Sequence, residues 1–520
     1  MTERGLPLPV GVLRSVPFGH APDGTPVTRF TLRAGAPATA TDAAALELDV
    51  ITYGAAIAAC RHAGTDVVLG FDAMQTNDAS GVVGYGDGKR NPFFGCTAGR
   101  VCNRIRGGKF TLPADCGAVD VTLLCNDGGG RHHLHGGPAG FDKAVWSPSL
   151  VVPAVDADAS VSPLRDDSEA ARAIDDDGDA DGWRTVLALR LDSPHADGGY
   201  PGAVRAFTRF QVPAAALAVD RSDATAAASA GFRLVFEATL LPPTPTPTTA
   251  VAADAAGAAS AAATAVSLTG HSYWNVAGHA TGSEGLLRQT LHLPRSDRRT
   301  AHATAPVTSP NWLVPDTVVA VPAGDPYDFH SRPRRLGDAL EALRVQDAAA
   351  WPRDAVASDA ADAPPPPPVA AHGGGFDTNF VVNMADALPP PTRDAAAGSV
   401  VDWGGYDPAI EYGRDGADLR RRAAPLLAAG AAPVAVLHDP VSGRWLRLRS
   451  SAPGLQLYTG NWLDGAIGKQ HAPYGRHAGL CLEPQGWPAA PNEAAFPPVW
   501  LRRGEAFRRV VQHDFGLGPP

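Results

Sequence analysis

The sequence predicts an all-β fold, a single large sandwich of antiparallel strands. Short runs of alternating apolar residues recur between Gly, Pro, Asn and Asp turns. Long amphipathic helical periodicity is scarce. Gly (56) and Pro (48) make up one in five of the 520 residues, which suits a chain that turns often.

In chain order, Trp183 to Leu191 fits a strand. Gly231 to Leu240 alternates cleanly, with Phe232, Leu234, Phe236, Ala238 and Leu240 on one face. Arg335 to Val345 is the best helical candidate. Val434 to Leu437, the turn Asp439-Pro440-Val441-Ser442-Gly443 and Trp445 to Leu448 read as a hairpin.

Between these runs lie low-complexity stretches at 155–182, 214–230, 242–264, 346–373, 386–400 and 414–433. Such composition buries too little apolar surface to offset its ordering entropy. They are expected to be mobile surface insertions in one domain spanning 1–520. Lengthening a surface loop costs little, because closure entropy grows only logarithmically.

The formal net charge is −10. Ten acids fall between Asp156 and Asp181, against only Arg165 and Arg172, so this stretch alone carries −8. The rest of the chain is nearly neutral, which argues against nucleic acid as a partner. Six cysteines and no Cys-x-x-Cys pair exclude a disulfide scaffold or a zinc knuckle. No signal-peptide h-region and no 18-residue apolar run occur, so no membrane association is expected and a cytoplasmic location is.

Four segments carry chemistry. In Gly99 to Ile105, Asn103 and Arg104 offer amide and guanidinium donors suited to sugar hydroxyls or carboxylates; a structural Arg in a surface loop is the plain alternative. His132-His133-Leu134-His135-Gly136-Gly137 raises a metal reading. His135, before two glycines, is better read as a hydrogen-bonding group in a pocket, and no metal is expected. His271, in Leu268 to Asn275, suits a general acid or a satisfied core histidine. Glu483, flanked by Leu482 and Pro484 near Trp487, suits a general base of raised pKa or a paired structural carboxylate. Asp377 and Gln456 each place a polar group in an apolar, aromatic strand.

Taken in order, these segments resemble the aldose 1-epimerase (galactose mutarotase) family. The likeness is spread along the chain: GRVCNRIRGGKF (99–110), HLHGGPAGFDKAVW (133–146), GYPG (199–202), LTGHSYWN (268–275), GFDTNF (375–380), LQLYTGNWLDG (455–465) and RHAGLCLEPQGWP (476–488). The low-complexity stretches have no counterpart. The resemblance implies a β-supersandwich with a sugar site in a shallow cleft and a small aldose as partner, without cofactor. It implies Glu483 as general base and His271 as general acid. Asn103, Arg104, His135, Asp377 and Gln456 then fall on sugar-binding positions. Such chemistry asks for a Glu of raised pKa and a His protonated near neutral pH. Pro484, Trp274, Gly270 and Cys102 depart from the family pattern, and Trp274 is expected to narrow the cleft. Anomer exchange of free aldohexoses is the implied activity. A catalytically idle sugar-binding protein and a hexose-phosphate 1-epimerase are the alternatives, and monomer and dimer both fit.

Overall fold

Antiparallel pairing joins the strands of every sheet among the described residues. The computed structural model describes residues 11–34, 45–75, 83–154, 157–165, 182–213, 230–242, 261–302, 314–350, 374–385 and 403–520. Among these, strands far outnumber helices, as the alternating pattern predicts.

The largest sheet holds eleven strands among the described residues. Its centre runs Trp183–Ser193, Val204–Pro213, Ala230–Leu240, Ala506–Leu517 and Arg444–Ser450 in spatial order. The expected hairpin forms, with Ala435–His438 against Arg444–Ser450. A second, six-stranded sheet runs Tyr273–Trp274, Leu480–Gln485, Gly454–Tyr458, Asp377–Val382, Ser296–His302 and Thr317–Ala320. A third, of five strands, gathers the N-terminal segment from Gly11 to Asp66. The largest of three apolar clusters among the described residues, from Leu32 and Leu48 through Phe232 and Phe236 to Leu457 and Leu482, draws on strands of all three sheets.

The strand Ala230–Leu240 is buried almost throughout, not on one face alone. Its apolar face enters the core. Its opposite face carries Glu237, which pairs with Arg209 at 2.6 Å and Arg508 at 3.3 Å. Charged residues are almost never buried unless paired, and here three are buried as a set.

The helix expected from Arg335 forms over Leu336–Ala350. The stretch 414–433, expected to be mobile, instead contains the helix Gly416–Leu427. Leu419, Ala423, Leu426 and Leu427 are buried, spaced for one helical face. Asp415 caps it, accepting from Ala417 N at 2.9 Å. The Ala/Arg composition hid that apolar stripe. Residues 157–165, 182, 230, 242 and 261–264, and the helix to 350, are also described. The rest of the expected insertions lies outside the described residues.

The central strand Ala506–Leu517 of the large sheet carries one half of a fully buried ion pair. Arg509 Nε and Nη2 each donate to Glu411 at 2.7 Å, and neither side chain is exposed. Tyr406 and Ser451 hydroxyls also donate to Glu411, both at 3.2 Å. Arg509 Nη1 donates to Leu268 O at 2.7 Å and Ser267 Oγ at 3.2 Å. Removing one partner strands the other charge. Arg509→Met is expected to cost about 3–5 kcal/mol, read as a lower urea midpoint. The double variant Arg509→Met/Glu411→Leu should recover much of that loss; a single variant as stable as the wild type would contradict it.

Candidate active site

Register decides which side chains meet. Asn379 lies opposite Gln456, and Gln456 opposite Glu483. Asp377 lies opposite Tyr458, and Tyr458 opposite Cys481. Side chains alternate along a strand, so Asp377, Asn379, Gln456, Tyr458, Cys481, Glu483 and Gln485 share one face.

His271 reaches that face between two pairings. Thr269–Gly270 pairs with Thr97–Ala98, and Tyr273–Trp274 with Leu480–Cys481. The backbone between is fixed on both sides: His271 N donates to Cys96 O at 2.8 Å, and Gly95 N donates to His271 O at 3.0 Å. The ring Nε2 then stands 3.7 Å from Glu483 Oε1, with both side chains buried. Cys481 Sγ lies 3.6 Å from Nδ1 on the other side.

Asn103 and His135 come from a neighbouring pair of loops, joined where Arg104–Ile105 pairs with His133–Leu134. Both adopt left-handed backbone, φ 60° and 51°. Such conformations in non-glycine residues concentrate where a site demands them. A Cβ on Gly136 would stand 1.7 Å from Gly99 O, so glycine is required there. The two residues bond reciprocally: His135 N donates to Asn103 O, and Asn103 N donates to His135 Nδ1, each at 3.2 Å.

That second bond sets the imidazole. A neutral ring that accepts at Nδ1 carries its proton on Nε2. His135 therefore offers the cleft a donor. One ligand atom from each of His135, His271 and Glu483 falls within 4.8 Å of the others, a spacing that suits a metal. The His135 tautomer opposes that reading, because a metal needs a lone pair on the same nitrogen.

Arg104 is braced twice. Its Nε donates to Asp127 at 2.8 Å, and its Nη1 lies 3.8 Å from Asp377. Gln456 Nε2 donates to Asp377 Oδ1 at 2.7 Å. Asn103, Arg104, His135, His271, Asp377, Gln456 and Glu483 are thus brought into one cluster. Sequence reasoning missed the hold of Asp127 on Arg104. It also passed over Phe93, whose ring packs on His135 and His271 with centroids 4.8 and 5.6 Å away.

Two expectations need correction. Trp274 does not narrow the cleft: it is buried in the core against His513 and Phe515, its centroid 5.4 and 5.8 Å from theirs. Nor is His271 held protonated. Burial pulls its pKa from 6.5 down to about 4. Burial likewise pushes Glu483 well above the usual carboxylate range, with Asp377 adding to the rise and Arg104 opposing it. Burial thus shifts each group toward its neutral form. Pro484 keeps a backbone role, its carbonyl accepting from Thr269 Oγ1 at 2.8 Å.

The family model for aldose 1-epimerase matches residues 38–220 and 413–513. His271 and Asp377 fall between the two matched stretches, where the low-complexity runs 242–264, 346–373 and 386–400 also lie. Galactose mutarotase of Bos taurus is 26% identical over 515 residues, covering 98% of this chain and 99% of that protein. The Homo sapiens galactose mutarotase is 25% identical over 518 residues, covering 97% and 99%. Among solved structures, a galactose 1-epimerase from Lactobacillus acidophilus superposes with TM-score 0.55 at 18% identity, covering 98% of this chain and all of that one. A GalM/aldose epimerase homologue from C. elegans gives TM-score 0.52 at 18% identity, covering 91% and 96%. These two establish the shared fold.

The depressed His271 pKa has a stability consequence. Between pH 6.5 and about 4 the unfolded chain binds a proton at this residue that the folded chain does not. The contribution of His271 to stability therefore falls as pH drops through that window. His271→Gln should flatten the acid side of a plot of thermal midpoint against pH; an unchanged slope would contradict the assignment.

Proposed function

The chain belongs to the aldose 1-epimerase family, and from that premise we propose that it interconverts the α and β anomers of free aldohexoses such as glucose and galactose, with Glu483 as base and His271 as acid. The observation that carries this reading is the buried approach of His271 Nε2 to Glu483 Oε1 at 3.7 Å, beside the sugar-hydroxyl donors of Asn103, Arg104 and His135.

The chemistry follows from where the shared proton sits. On Glu483 it is idle. On His271 it converts the pair to carboxylate and imidazolium, a base and an acid side by side. Arg104 favours that arrangement by stabilising the carboxylate. Hydrogen bonds from the sugar C1 hydroxyl to Glu483, and from His271 to the ring oxygen, add to it. Glu483 then takes the C1 hydroxyl proton while His271 gives its proton to the ring oxygen, and the C1–O5 bond breaks. The open aldehyde turns about C1–C2 and presents its other face. Glu483 returns a proton to the C1 oxygen, His271 recovers one from the C5 hydroxyl, and the ring closes as the other anomer. The reaction is a near-thermoneutral isomerisation that consumes no cofactor.

Asn103, Arg104, His135, Asp377 and Gln456 hold the hydroxyls. His135 serves as a donor through Nε2, and Asp377 as an acceptor. Holding the substrate this way supplies orientation. The cluster suits an uncharged sugar better than a phosphorylated one. Arg104 is engaged by Asp127 and Asp377, Arg106 by Glu493 at 2.7 Å and Lys143 by Asp142 at 2.5 Å. A phosphate dianion would need one of them released. The intact acid–base pair disfavours an idle binding protein. Six free cysteines, and the absence among the described residues of a helix long and apolar enough to cross a membrane, support a cytoplasmic location.

Polarimetry of freshly dissolved α-glucose or α-galactose tests the reading. Glu483→Gln and His271→Asn should each lower kcat by about 100-fold or more. Wild-type rates in either variant would remove that residue from its role. Glucose 6-phosphate should be turned over more slowly than glucose; the reverse preference would favour the sugar-phosphate reading.

A further inference from the structure

Beneath the acid–base pair the same sheet face carries amides that the mechanism leaves unused. Asn379 is 1% exposed and Gln485 not at all. Both ends of both amides lack a protein partner, and so do Gln456 Oε1 and Glu483 Oε2. Buried polar groups are normally satisfied, so six unpartnered atoms on adjoining positions of one sheet face call for an explanation.

The register shows where they converge. Asn379, Gln456 and Glu483 form one row across three strands. In the next row, Gln485 lies opposite Gly454. A Cβ on Gly454 would stand 2.7 Å from Asn379 Oδ1, 2.9 Å from Asn379 Nδ2 and 2.9 Å from Trp487 Cδ1. The Asn379 amide therefore lies over Gly454, towards Gln485, in space that only a glycine leaves open. Trp487, 2% exposed and tied by Nε1 to Pro453 O at 3.0 Å, packs at that spot too.

We propose that Asn379, Gln456 and Gln485, arranged over Gly454, form a buried water-binding chamber against Glu483 Oε2, and that Asn379 and Gln485 act through it as positioning residues for the base. The inference rests on the reading of Glu483 as that base. A polar chamber of this kind retains water because each bound molecule finds several partners. Amide donors relayed by water fix the carboxylate plane, leaving Oε1 aimed at His271 and the sugar. Because both amides act through the base, the effect appears in turnover and leaves binding nearly unchanged.

A high-resolution crystal structure of the full chain should show ordered water within hydrogen-bond distance of Glu483 Oε2 and of the Asn379 or Gln485 amide. Gln485→Met and Asn379→Leu remove the amides at similar volume, and Gly454→Ala narrows the chamber without removing a polar group. Each is expected to lower kcat by about tenfold with KM nearly unchanged, measured on protein shown to be folded by circular dichroism. A dry chamber overturns the proposal. So does wild-type kcat in any folded member of the set, and should all three fail to fold the water site alone decides it. If Glu483→Gln is inactive while the amide variants are unaffected, only this inference fails. If Glu483→Gln remains active, the reading beneath it fails.

Discussion

The buried Arg509–Glu411 pair is the constraint on which the site's geometry rests. Its guanidinium comes from a central strand of the large sheet. Its carboxylate comes from a short turn just before the helix Gly416–Leu427. The third arm of Arg509 grips Ser267 and Leu268, three to four residues before His271. Ser267 Oγ in turn accepts from Gly486 N at 3.3 Å and meets Cys102 Sγ at 3.3 Å. One node thus links the segments that carry His271, Glu483 and Asn103. A buried pair is weak evidence for stability, because desolvation offsets much of the attraction. Its value here is geometric: it allows one arrangement of those three segments.

The second determinant is strand register. A slip of one residue in Leu480–Gln485 would turn Glu483 away from His271 and present Pro484 in its place. Pairing of the same strand with Gly454–Tyr458 on one edge and Tyr273–Trp274 on the other holds it. The electrostatics follow from that placement. Burial penalises charge on both Glu483 and His271. The proposed proton transfers ask for these two groups held side by side and shielded from bulk water, as the 3.7 Å approach holds them.

Much of this was legible in the sequence, and the reason differs from element to element. Ala230–Leu240 and the Ala435–Ser450 hairpin announce themselves through period-two alternation and turn residues. The seven site residues span 103 to 483, so no local spacing joins them; only the resemblance of whole segments to a family placed them. What stayed hidden depends on tertiary contact. Low-complexity composition masked the apolar stripe of Gly416–Leu427. The alternation of Ala230–Leu240 could not reveal that its charged face is buried too. The neutral state of His271 arises from burial by segments far along the chain, as does the brace of Asp127 on Arg104. Trp274 is expected to narrow the cleft because it departs from the family pattern three residues after His271, but alternation sends it to the opposite side, into the core.

A crystal structure of Glu483→Gln with bound galactose tests the central claim most directly. The account predicts the pyranose ring oxygen within hydrogen-bond reach of His271 Nε2, and the C1 hydroxyl within reach of residue 483. A sugar bound with C1 directed away from both residues, or seated elsewhere on the protein, would contradict it.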